Sequence, residues 1–109
     1  MQNFGHPVRG STRGRPIMVL LDTLGKRWTL RILWELRGGN LTFRDLRAKC
    51  DDVSPTSLNK RLKELRELNL VELTEAGFGY TRWGEELTDQ FVPLTAWSEK
   101  WAADTKRVE

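Results

Sequence analysis

Val53-Ser54-Pro55-Thr56-Ser57-Leu58-Asn59-Lys60-Arg61-Leu62-Lys63-Glu64-Leu65 reads as a helix with two unlike faces. Ser54 is placed to cap it by accepting a bond from an early backbone N–H. Pro55 then takes the first helical position, where a missing N–H costs nothing. Leu58, Leu62, Leu65 and, more loosely, Leu68 and Asn69 recur at helical spacing on one face. At about 100° per residue, Thr56, Lys60 and Lys63 land opposite, flanked by Ser57 and Asn59. Hydroxyls and backbone N–H groups reach phosphates, and Asn and Lys pair with base edges, so such a face suits a DNA major groove. Alone, the segment reads first as an ordinary amphipathic surface helix with some i,i+4 charge pairs; its surroundings decide.

Downstream the apolar period changes to two. Leu70, Val71 and Leu73 mark a strand, Glu75-Ala76-Gly77 a tight turn, and Phe78 to Tyr80 a returning strand. Thr81 then caps a long final helix over 82–105 that carries Leu87, Phe91, Leu94, Trp97 and Trp101, bent near its middle by Pro93. Upstream, a short helix spans about Pro16 to Leu24 and stops at Gly25. A second covers Trp28 to Arg37, with Ile32, Leu33 and Leu36 inward, and stops at Gly38-Gly39. Leu41 makes a brief extended contact. A third helix follows Thr42, with Phe43, Leu46 and Cys50 on one face, and Asp51-Asp52-Val53 turns into the helix quoted above. Three helices with a tight helix-turn-helix, then a two-stranded hairpin, predict an α+β, mostly helical winged helix-turn-helix.

The 109 residues allow one domain, over 15–105, with a flexible basic arm over 1–14 and a tail over 106–109. The chain is 39% hydrophobic and 30% charged, a globular balance. No run of 18 apolar residues and no signal-peptide core exist, which predicts a cytoplasmic protein with no membrane partner. One Cys excludes an internal disulfide and a Cys-rich zinc site. Residues 1–49 carry ten cations against three acids, a net +7, whereas residues 50–109 carry eight against twelve, a net −4. A basic half leading into the candidate recognition helix favours a polyanionic partner.

The residues also resemble a known family. Gly25-Lys26-Arg27-Trp28-Thr29-Leu30-Arg31-Ile32-Leu33 is similar to the G-G-K-W-x-x-x-I-L opening of HxlR-type transcriptional regulators. Thr42-Phe43-Arg44-Asp45-Leu46 resembles their R-F-x-E-L, and Ser54 through Leu65 their S-x-x-x-L-x-x-R-L-x-x-L. Tyr80 through Leu87 resembles their L-T-x-x-G-x-x-L, and Trp97 sits where the family places its late Trp. The resemblance runs in order from about Arg15 to Trp101. It implies a dimeric, sequence-specific DNA-binding regulator on an inverted-repeat operator, with terminal helices forming the dimer and the wing along the DNA backbone. Thr56, Ser57, Asn59, Lys60 and Arg61 match its recognition helix, with Lys63 beside them. Lys26 and Arg27 match the basic start of its second helix. Three positions depart from the pattern. Arg15 stands where the family commonly has a sensor Cys. Thr42 replaces the Arg of R-F, with Arg44 as substitute phosphate contact. The wing is shortened and holds Glu75, which repels phosphate.

Lys26, Arg27 and Arg44, with no obvious intrachain partner, are the candidate backbone contacts. Cys50 reads as a buried, inert thiol. His6, alone in the arm, has no neighbouring ligands and no role. Five Trp exceed what so small a core absorbs. Leu87, Phe91, Leu94, Trp97 and Trp101, with Ile17, Val19 and Leu20 of the first helix, therefore form a candidate homodimer seam. A small-molecule effector pocket within that seam rests on its aromatic content alone. Arg9, Arg13 and Arg15 read either as an arm tracking DNA or as a solvated tail. No phosphate loop, histidine in the folded part or activated nucleophile supports an enzyme, and no cofactor is called for. The competing reading is a winged helix used as a protein–protein interaction module in a larger assembly. The cations Lys60, Arg61, Lys63 and Arg66 weigh against it, although Glu64 and Glu67 temper the outer C-terminal half of that helix.

Overall fold

A computed structural model describes Phe4 and residues 14–105. The expected arm over 1–14, including Arg9, Arg13 and His6, and the tail over 106–109 lie outside the described residues, apart from Phe4 and Gly14. The elements run α1 (Pro16–Leu24), α2 (Thr29–Glu35), α3 (Phe43–Lys49), α4 (Pro55–Glu67), β1 (Val71–Thr74), β2 (Gly77–Tyr80), α5 (Arg82–Asp89) and α6 (Pro93–Thr105). A 3₁₀ turn over Leu36–Gly38 prolongs α2. Among the described residues no helix is long and apolar enough to cross a membrane.

The helix starts follow the residues that solve the problem of unpaired N–H groups at a helix end. Thr42 accepts from the Asp45 N–H, Ser54 from the Ser57 N–H and Thr81 from the Gly84 N–H. Burying one stripe of each of α2, α3 and α4 then builds the core. Ile32 and Leu33 of α2, Leu46 of α3 and Leu58, Leu62 and Leu65 of α4 meet Cys50, Val71 and Phe78 there. The hairpin is antiparallel, with Val71 opposite Tyr80 and Thr74 opposite Gly77. Leu41 joins it from the α2–α3 connection by an antiparallel bridge to Phe78, the brief extended contact expected there. Tyr80 donates its hydroxyl to the Leu33 carbonyl and so ties the sheet to α2.

Three boundaries differ from expectation. Trp28 does not open the second helix: it takes a left-handed φ of 78°, with its ring against the core, and α2 starts at Thr29. α4 closes at Leu68, because Asn69 turns left-handed at φ 60°. The single bent helix expected over 82–105 is two helices. Pro93 has no N–H to give and disfavours helical backbone at Val92, so the chain leaves α5 after Asp89 through tight turns and restarts with Pro93 opening α6.

Candidate nucleic-acid interface

α3 and α4 are joined by a turn in which Asp51 and Asp52 both adopt φ 56°. Two arginines from the basic half hold it. Arg31 donates to the Lys49 carbonyl at 2.6 Å and pairs with Asp51 at 3.2 Å, and Arg47 donates to the Val53 carbonyl at 2.7 Å. Not all of the basic half therefore faces outward; part of it fixes the angle at which α4 leaves the turn.

α4 presents its predicted faces. Leu58, Leu62 and Leu65 are buried, while Thr56, Asn59, Lys60 and Lys63 are exposed in one row. Among the described residues neither Lys60 nor Lys63 has an ion-pair partner, so both cations remain available to an anion. Ser57 is half-buried and shares a 3.0 Å hydroxyl bond with the capping Ser54.

Lys26 and Arg27 of the α1–α2 connection lie beside the flank of α4 that carries Arg61 and Glu64. Lys26 is not unpartnered, contrary to expectation: its Nζ stands 3.3 Å from Glu64 Oε2. The other oxygen of that carboxylate accepts from Arg61 Nη1. Glu64, expected only to temper the outer C-terminal half of the helix, has a pairing role that sequence reasoning missed. Its spacing from Arg61 carries an i,i+3 signal, but its pairing with Lys26, 38 residues away, is visible only in the fold. Arg27 is exposed, with its guanidinium 5.7 Å from the centre of the Trp28 ring. Arg44 is exposed on α3.

The hairpin turn is short because Gly77 absorbs its positive φ of 109°. Asn40 Nδ2 reaches Thr74 Oγ1 at 3.2 Å and the Gly77 carbonyl at 3.4 Å, tying the tip to the α2–α3 connection. The wing thus carries exposed Glu72 and Glu75 on a braced stub.

Cys50 is fully buried at the end of α3, and burial pushes its thiol above the ordinary range, the Arg31 charge offsetting this in part. Among the described residues no group of three or more His, Cys, Asp and Glu is arranged to hold a metal ion.

The candidate seam residues divide. Val19, expected in the seam, is fully buried within the single chain and cannot meet a second copy; Leu87 packs against the intrachain core, Leu20 and Phe91 are half-buried, and Ile17, Leu94, Trp97 and Trp101 are each about half exposed. Trp97 and Trp101 stack on α6 with ring centres 5.7 Å apart. None of the residues of α6 is buried.

Residues 23–106 match the family model described as HxlR-like helix-turn-helix. Over 88 residues the chain is 28% identical to an uncharacterized HTH-type transcriptional regulator of Methanocaldococcus jannaschii, covering 77% of this chain and 83% of that protein. The crystal structure of quinone-bound YodB from B. subtilis superposes with a TM-score of 0.70 at 28% identity, covering 78% of this chain and 97% of that one. A possible HxlR family transcriptional factor from Thermoplasma volcanium gives a TM-score of 0.67 at 27% identity, covering 77% and 82% respectively.

Proposed function

The chain belongs to the HxlR-like helix-turn-helix family of DNA-binding transcriptional regulators, and from that premise we propose that it acts as a cytoplasmic homodimer on an inverted-repeat operator. The exposed row Thr56, Asn59, Lys60 and Lys63 on a helix anchored by three buried leucines carries the reading. In it, α4 enters the major groove, Asn59 and Lys60 read base edges, and Thr56, Ser57, Arg61, Lys63, Lys26, Arg27 and Arg44 contact phosphates.

The homodimer is supported by α6. A helix of 13 residues is marginal alone in water and is stabilised by burying an apolar face, yet α6 leaves Leu94, Trp97 and Trp101 about half exposed. Ile17 and Leu21 of α1 are similarly open. A second copy covering these faces sets two α4 helices about one DNA turn apart, roughly 34 Å. Occupancy of a promoter by such a dimer would block or recruit polymerase. An effector remains a candidate partner only within the same apolar seam, whose chemistry favours an aromatic molecule.

Sequencing DNA selected by the purified protein from random duplexes tests the function. The expected outcome is a palindromic motif with half-sites one helical turn apart. Recovery of no motif, with binding that is weak and uniform across sequences, would instead favour a protein–protein interaction module.

A further inference from the structure

We propose that Glu64 is a positioning residue that aims Arg61 into a seat for one DNA phosphate, walled by Arg27, Ser54 and Ser57. The inference rests on the DNA-binding reading above and adds to it a residue whose own charge opposes DNA.

A groove of about 380 Å³ lies between the α1–α2 connection and the start of α4, lined by Arg27, Trp28, Val53, Ser54, Ser57 and Arg61. Its walls hold two arginines and two serines; Ser54 donates its hydroxyl proton to Ser57 Oγ, which leaves the Ser57 hydroxyl and the guanidinium N–H groups as donors that match a phosphate diester. Arg27 is steadied there by the face of Trp28. Arg61 is steadied by Glu64: one oxygen of the carboxylate takes Arg61 Nη1, and the other takes Lys26 Nζ at 3.3 Å. The side chains of Glu64 and Arg61 are only 15% and 17% exposed. Their pairing is therefore held by packing and is not the loose contact of a surface pair. A guanidinium has five N–H donors, so binding Glu64 through Nη1 leaves the others for a ligand in the groove. A flexible arginine loses side-chain freedom when it grips a phosphate, and a carboxylate that has already fixed it reduces that loss.

The sign of the effect separates aiming from simple electrostatics. Glu64 is an anion beside a polyanion, so by charge alone its removal tightens DNA binding. If it aims Arg61, its removal weakens binding although the protein becomes more positive.

The test uses the full chain and a duplex carrying its selected operator, with a random duplex of equal length as control. Glu64→Gln is expected to weaken both duplexes by about tenfold, the order of one charge-assisted contact. The slope of log affinity against log salt should fall by about one. In an Arg61→Ala background Glu64→Gln should cause no further loss, because there is nothing left to aim. Unchanged or tighter binding by folded Glu64→Gln, or an equal loss in both backgrounds, overturns the proposal. If Glu64→Gln fails to fold by circular dichroism, Glu64→Asp keeps the charge, withdraws it from Arg61 and is read in the same way. A parent protein that binds neither duplex would instead refute the DNA-binding reading itself.

Discussion

Gly84 has no room for a methyl group. A Cβ built there would lie 1.9 Å from the Leu70 carbonyl oxygen, which gives the Gly of Thr81-Arg82-Trp83-Gly84 a packing reason: α5 and the α4–β1 connection touch backbone to backbone. Gly84→Ala should cost about 1–3 kcal/mol, read from the denaturant midpoint. Gly38→Ala, with open space around it, should change little. On the outer row of α4, replacing Asn59 or Lys60 by alanine should cost about 1–3 kcal/mol at the operator and relax preference at the base each reads. Unaltered preference in a binding selection would remove that residue from the readout. Cys50 is expected to be silent. Its thiol is buried and held protonated, so DNA affinity should be equal in reductant and in diamide. A reversible loss that Cys50→Ser abolishes would contradict this. Such residue-level features were legible unevenly. Caps such as Ser54 and Thr81 act within a few residues of chain and can be read from sequence. The ion pair of Lys26 with Glu64 closes across 38 residues and cannot.

Among the elements, α4 was legible almost to its ends because cap, proline and leucine period agree. The C-terminal region was not, since Leu87, Phe91 and Leu94 keep helical spacing across a proline. Spacing alone does not reveal whether proline bends a helix or ends it. Here it ends one, and Leu87 goes to the core while Leu94 stays outside. α3 and the α1–α2 connection supply the exposed cations Arg44 and Arg27. Neutralising either should weaken binding to all duplexes alike and lower the salt slope by about one. A slope equal to the parent's would place that side chain off the DNA. The hairpin is expected to contribute less than either helix, given its braced tip and exposed Glu72 and Glu75.

In the molecule as a whole, α6 leaves Leu94, Trp97 and Trp101 about half exposed. The double substitution Trp97→Ala with Trp101→Ala should yield folded monomers at micromolar concentration, since losing one well-buried interfacial Trp typically costs about 2 kcal/mol or more. Affinity for a two-half-site operator should then fall far more than affinity for one half-site. An intact dimer in sedimentation would return these tryptophans to the single chain. Sequence by itself determined the order of elements as far as the hairpin, the buried stripe of each helix in the domain's centre and the outward row of α4. These follow from local periodicity, capping and turn chemistry, which operate within a few residues. Only the tertiary structure decided that Arg31 and Arg47 brace the turn, that Glu64 gathers Lys26 and Arg61, and that Asn40 fastens the wing. The pairs of Arg31 with Lys49, Asn40 with Thr74 and Lys26 with Glu64 join groups 18, 34 and 38 residues apart, and many residues could compete for the same charge or hydrogen bond. The partner is selected by where packing of the apolar core leaves each side chain, which no local pattern encodes.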